Sequence, residues 1–135
     1  MELSTFGAIL TFAAAWETES ARFYESCARC GDVGPCASLA AGARKRAARV
    51  ERARREGVSE MILIPITGLD GGNYRLDTEP TTSAAERRVH AEALEGARQR
   101  FYDDAAAVMP IREVATVLAR LARENERNLA ALRQR

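Results

Sequence analysis

ETESARFY occupies positions 17–24, and EGARQRFY, a loosened copy of it, occupies 95–102. Each puts a glutamate, Glu17 or Glu95, two helical turns before a tyrosine, Tyr24 or Tyr102, and each ends in Arg-Phe-Tyr. Working outward, apolar residues recur at helical spacing through 4–30, 35–56, 84–108 and 110–134, with little strand-like alternation. The pattern predicts an all-α fold. CGDVGPC, with Gly31, Gly34 and Pro35, separates the first two helices, and Pro110 is expected to open the fourth. Such short connections make each pair an antiparallel hairpin.

The segment between the hairpins, residues 57–83, is too long for an ordinary turn and is read as a crossover. Its apolar MILIPI run, 61–66, is expected to lie over the bundle or over a neighbouring copy of the chain, as in a homodimer. Ser83 and Glu86 form a capping-box pattern at the start of the third helix. The expected architecture is a single domain, 1–135: a four-helix bundle of two hairpins, 4–56 and 84–134, joined by the crossover.

Composition narrows the setting. Twenty basic residues against nineteen acidic ones give a formal charge of +1, so charge favours neither a nucleic-acid nor a membrane partner. The stretch 43–56 holds seven basic and two acidic residues, but they spread around the helix instead of forming a nucleic-acid stripe. No apolar run approaches the roughly 18 residues of a membrane span, and no basic leader precedes the first helix. Three cysteines suit a reducing compartment, which makes the cytoplasm the expected location.

The repeat makes Glu17 and Glu95 equivalent and lets both face one central space. Here the sequence resembles the ferritin-like superfamily and its rubrerythrin-type branch, whose first and third helices carry a comparable Ala-rich, Glu-x5-Phe-Tyr pattern. The resemblance implies a dinuclear iron or manganese centre held by one Glu from each of two helices and a Glu-x-x-His from each of the others. Glu17 and Glu95 match the lone glutamates. The inward rows, Cys36, Leu39, Ala43, Arg46, Val50 and Ile111, Val114, Leu118, Leu121, Asn125, Asn128, Leu132, place Ala43-x-x-Arg46 and Asn125-x-x-Asn128 in the other slots. Sliding the last helix by one residue gives Glu124-x-x-Arg127, which still lacks an imidazole. The one histidine, His90, is not at a ligand position.

An unpaired buried carboxylate costs several kcal/mol or takes up a proton. Arg46 is therefore expected to answer the glutamates with a fixed positive charge, aided by the amides of Asn125 and Asn128, with Tyr24 and Tyr102 lining the site. The resulting expectation is a non-enzymatic, degenerate ferritin-like module without a cofactor. The alternative is a metal-binding protein or oxidoreductase with iron or manganese on Glu17 and Glu95. Blander readings stay open: Glu17 in solvent, Glu95 paired with Arg98 or Gln99 on its own helix, and the tyrosines as plain core. Cys27, Cys30 and Cys36 could form a thiol site or a Cys30–Cys36 disulfide, although Cys27 and Cys36 fall in apolar rows.

Overall fold

The computed structural model describes residues 2–30, 36–61, 66–76 and 83–134, the side chains of Cys30 and 57–61 excepted. Its helices are α1 (Phe6–Cys30), α2 (Cys36–Met61), α3 (Ala84–Val108) and α4 (Arg112–Arg133), with a short 3-10 turn at Gly71–Tyr74. Thr5 caps α1, its Oγ1 accepting from Ala8 N at 3.0 Å. Ser83 Oγ accepts from Glu86 N at 3.2 Å at the head of α3. These two caps fix where the repeat-bearing helices start.

Several boundaries differ from the sequence reading, and α1 for one starts at Phe6 and not at 4. The second helix, expected to stop at 56, continues to Met61, because the single Gly57 costs a helix only about 1 kcal/mol. The fourth starts at Arg112 and not at Pro110. Proline steers the residue before it into extended backbone; Met109 is extended (φ −75, ψ 118), and α3 ends at Val108.

Contacts fix the directions. Arg44 meets Glu25 and Arg46 meets Glu17, so α2 runs antiparallel to α1. Glu92 meets Arg133 and Glu95 meets Asn128, so α4 runs antiparallel to α3. Phe23 lies beside His90, and Phe12 beside Phe101, so α1 and α3 are antiparallel too. It follows that α2 and α3 are parallel, and the chain between them must travel the length of the bundle. The all-α, four-helix architecture is thus as the sequence predicts.

The described part of the crossover packs on the α1–α3 face. Leu3 N donates to Leu69 O at 2.8 Å and Ile66 N to Ser4 O at 3.0 Å, which ties the crossover to the segment ahead of α1. Ile66, Leu69 and Tyr74 then join Phe6, Trp16 and Phe101 in one apolar cluster. Tyr74 Oη donates to Asp104 at 2.5 Å, and burial followed by that bond holds the phenol above its ordinary value. Of MILIPI, residues 62–65 lie outside the described residues.

A second apolar cluster, with Phe23, Tyr24, Cys27, Cys36, Leu39, Leu94 and Leu132, fills the other end of the bundle. Cys27 and Cys36 are buried in it. The Cys30 side chain, and with it the Cys30–Cys36 disulfide and the thiol site, lies outside the described residues, as do residues 31–35.

Gly71 lies close against the bundle: a Cβ there would sit 2.7 Å from Phe12 Cε2, and Phe12 is itself packed against Trp16 and Phe101. Gly71→Val should therefore destabilise by about 1–3 kcal/mol in urea melts. Gly7→Ala, with open space around the new methyl, should be neutral or stabilising by up to about 1 kcal/mol. Equal midpoints for the two variants would show that the crossover does not press on Phe12.

Candidate functional site: a buried charge network between two apolar clusters

The helical repeat sends its polar residues to one level of the bundle. On α1 the apolar residues up to Trp16 belong to one cluster and those from Phe23 to the other; Glu17 and Ser20 fall between. On α3 the same level holds Glu95 and Arg98, on α2 Arg46, and on α4 Asn125 and Asn128. Glu17 and Glu95 are both 0% exposed, and Arg46 and Arg98 are each 1% exposed. The solvent-facing reading of Glu17 is thereby overturned.

Each glutamate is bonded from two directions. Glu17 Oε2 accepts from Arg46 Nε at 2.8 Å and from Tyr102 Oη at 2.6 Å. Glu95 Oε2 accepts from Tyr24 Oη at 2.6 Å, and its Oε1 accepts from Asn125 Nδ2 at 3.0 Å and Asn128 Nδ2 at 2.9 Å. Each glutamate thus takes one donor set from the return helix of its own hairpin and a phenol from the opposite hairpin. The tyrosines are exchanged: Tyr24 serves Glu95, and Tyr102 serves Glu17. Their rings also pack in the core, so lining the site and filling the core are one role here.

Glu95 does not use Arg98, the partner offered by its own helix. Arg98 Nη2 donates instead to Trp16 O at 2.8 Å and Ser20 Oγ at 2.5 Å, and its guanidinium lies 3.3 Å over the Trp16 ring. This residue was missed as a site component, because its equivalence to Ser20 in the repeat becomes a contact only in the fold. Positions 20 and 98 are 78 residues apart, the same offset as Glu17 and Glu95. Equivalent positions that touch each other lie on the pseudo-two-fold axis of a repeat. Two carboxylates and two guanidiniums make the buried set neutral.

The remaining candidates sit at the margin. Glu124, reached by the alternative register, is partly buried; it pairs with Arg49 and lies 3.8 Å from Arg46 Nη1. Arg127 is exposed, and Asn128 is half-buried, which fits its place near the end of α4. His90 is half-buried beside Phe23, at 6.2 Å between rings, and Arg87 on the same helix is buried. The basic stretch 43–56 is dispersed: Arg44 reaches Glu25, Arg49 reaches Glu124, Arg54 reaches Glu51, and Arg46 turns inward.

The electrostatics follow from burial and neighbours. Burial disfavours the Arg46 cation, but the charges of Glu17 and Glu95 and the bond to Glu17 outweigh it and hold the guanidinium above its ordinary value. Arg98 has no carboxylate in direct contact among the described residues, and burial pushes it down to about 10. Burial, then the charge of Glu95, raises Tyr24; burial, then the charge of Glu17, raises Tyr102. Both phenols are donors fixed to carboxylates.

The dinuclear centre implied by the resemblance does not fit these residues. Both oxygens of Glu95 and one of Glu17 already accept hydrogen bonds, a guanidinium stands beside Glu17, and α2 and α4 supply no carboxylate–imidazole pair at this level. Among the described residues no group of three or more His, Cys, Asp or Glu side chains converges. Metal donors would have to be pulled off the network one by one.

Removing Arg46 should strand buried negative charge. Arg46→Met is expected to cost about 3–5 kcal/mol in denaturant melts. Glu17→Gln/Arg46→Met should recover most of that, since Gln keeps an acceptor for Tyr102 while Glu95 and Arg98 still balance. A cost below about 0.5 kcal/mol for Arg46→Met would place the guanidinium in water and dissolve the network.

A second expectation concerns alkaline pH. The unfolded chain's tyrosines release protons near their ordinary value of 10.0, while Tyr24 and Tyr102 hold theirs in the folded chain. Their contribution is full below about pH 10 and is lost as pH rises toward the folded values. Arg98, depressed to about 10, works in the opposite sense above that pH, because there the unfolded chain binds the extra proton. Tyr74 is also held above its ordinary value, and three phenols against one guanidinium leave a net loss, about 1.4 kcal/mol per pH unit for each net proton. Tm should fall from about pH 10 upward, and Tyr102→Phe should flatten the slope; an unchanged slope in that variant would contradict the shared burial of phenol and carboxylate.

No family model, no curated protein and no solved structure matches this chain, so the site is read from its own geometry.

Proposed function

We propose that this chain is a degenerate ferritin-like bundle in which a fixed guanidinium and two amides stand where a dinuclear metal centre would otherwise be held, and that it acts as a structural or interaction module and not as a catalyst. The observation that carries this reading is the Arg46–Glu17 bond at 2.8 Å, with both partners buried. Arg46 satisfies the charge that a metal would satisfy, and it does so with a group that cannot leave. The Ala-rich Glu-x5-Phe-Tyr repeat and the parallel α2 and α3 joined by a long crossover support the ferritin-like part of the proposal.

Its partners belong to the same proposal. A homodimer meeting at the apolar run 61–66 and a cytoplasmic location rest on the sequence; among the described residues, no helix is long and apolar enough to cross a membrane. The reading with metal on Glu17 and Glu95 keeps one observation in its favour, since Glu17 Oε1 is buried without a hydrogen-bond partner among the described residues. One free oxygen beside a guanidinium is a poor start for a cation.

Anaerobic titration with ferrous iron distinguishes the two. The protein should take up far fewer than the two ions per chain of a dinuclear centre, with no oxo-bridged absorption after exposure to air. Tight uptake of two ions, abolished by Glu17→Ala, would establish the metal-binding alternative in its place.

A further inference from the structure

Arg46 is under-used for a buried guanidinium. Its Nε bonds Glu17, its Nη2 has no hydrogen-bond partner among the described residues, and its Nη1 is 3.8 Å from Glu124 Oε1, beyond hydrogen-bonding range. The Nη1 edge borders a cleft of about 380 Å³ between α2 and α4. Such a volume suits a small organic ligand.

The cleft is built with two unlike ends. Leu39 and Leu132 line the end where α2 begins and α4 finishes; Arg46, Arg127 and Asn128 supply cationic and amide groups further along. Gly42 stands on its wall in mid-helix, where glycine costs roughly 0.5–1 kcal/mol relative to alanine. A Cβ there would lie 3.4 Å from Arg46 Nη1, and any longer side chain would compete for the space beside that edge. Glu124 also lines the cleft, but its carboxylate is engaged by Arg49. Of the charges on the lining, two are positive and one is negative.

We propose that this cleft binds a short aliphatic carboxylate, its anionic head on Arg46 Nη1 and Arg127 and its chain along Leu39 and Leu132. The head completes the forked donor set that Glu17 leaves half empty, and the chain covers apolar wall that water otherwise wets. The ligand therefore reads the outer edge of the same guanidinium whose inner edge holds the core together. This goes beyond the proposed structural role and depends on it only through the Arg46–Glu17 bond that fixes the guanidinium, so failure to bind leaves the iron titration untouched.

The test uses the full chain and sodium hexanoate, followed by calorimetry and by amide shifts in labelled protein. Saturable binding is expected with a Kd on the order of 1 mM or tighter, with shifts centred on 38–46 and 124–132. Hexanamide and hexylamine, which match the chain but not the charge, should bind at least about tenfold more weakly. Arg127→Gln, at an exposed position, should weaken hexanoate several-fold, whereas Glu124→Gln should strengthen it by removing a like charge. Gly42→Leu should abolish binding while circular dichroism reports the helices. The proposal fails if hexanoate shows no saturation by about 20 mM. It fails equally if hexylamine binds as well as hexanoate, if Glu124→Gln weakens hexanoate, or if a folded Gly42→Leu binds it unchanged.

Discussion

The bond from Arg46 to Glu17 is the constraint on which the rest of the structure turns. A carboxylate at full burial is tolerable only with an answering charge and donors, and α2 brings that charge from 29 residues away in sequence. Once the pair is fixed, the relative height of α1 and α2 is fixed with it, and the apolar residues on either side fall into two separate clusters. A one-residue slip of α2 would rotate Arg46 out of the bundle by about 100° and leave Glu17 alone. Polar groups in the middle of a core thus act here as a register mark for the helices.

The second hairpin solves the same problem differently. Glu95 receives two amides where Glu17 receives a guanidinium, and neutral amides cannot cancel its charge. The balancing cation is Arg98, which sits on the pseudo-two-fold axis against Ser20 and over the face of Trp16. The repeat is symmetric in its acids and phenols and asymmetric in its bases. That asymmetry keeps the four buried charges neutral as a set while letting each carboxylate keep close, directional donors. The exchanged tyrosines then lock hairpin to hairpin, because each phenol lies on one half of the chain and its carboxylate on the other.

In the proposed structural role, such a network gives the centre of the bundle over to holding the helices together. Both oxygens of Glu95 and one of Glu17 are committed, the phenols are held protonated by burial and by the carboxylates they serve, and Arg46 is held charged. At the α2–α4 margin the buried Arg46 borders a cleft, and Glu124 and Asn128 are only partly covered. On the proposal above, a small carboxylate would bind from that side, against Arg46 and Arg127.

The sequence by itself determined the helices, their order and the inward rows. Apolar spacing is a local property, and the row Cys36, Leu39, Ala43, Arg46, Val50 is buried throughout because one face of a helix is fixed by residue number alone. The same arithmetic put Glu17, Glu95, Arg46 and Asn125 inside before any partner was known, so most of the candidate site was legible. Tertiary structure alone decided who bonds to whom. Nothing in ETESARFY says that its tyrosine will serve the other copy's glutamate, since that depends on α1 and α3 running antiparallel and meeting at one level. Arg98 escaped the reading for the same reason: on its own helix it offers a local partner to Glu95, and only the packing of α3 on Trp16 and Ser20 shows that a ring face and two oxygens across the interface claim it instead. Local spacing sets which side of a helix a residue faces, whereas the choice among competing partners is settled by distances between helices that no single helix contains.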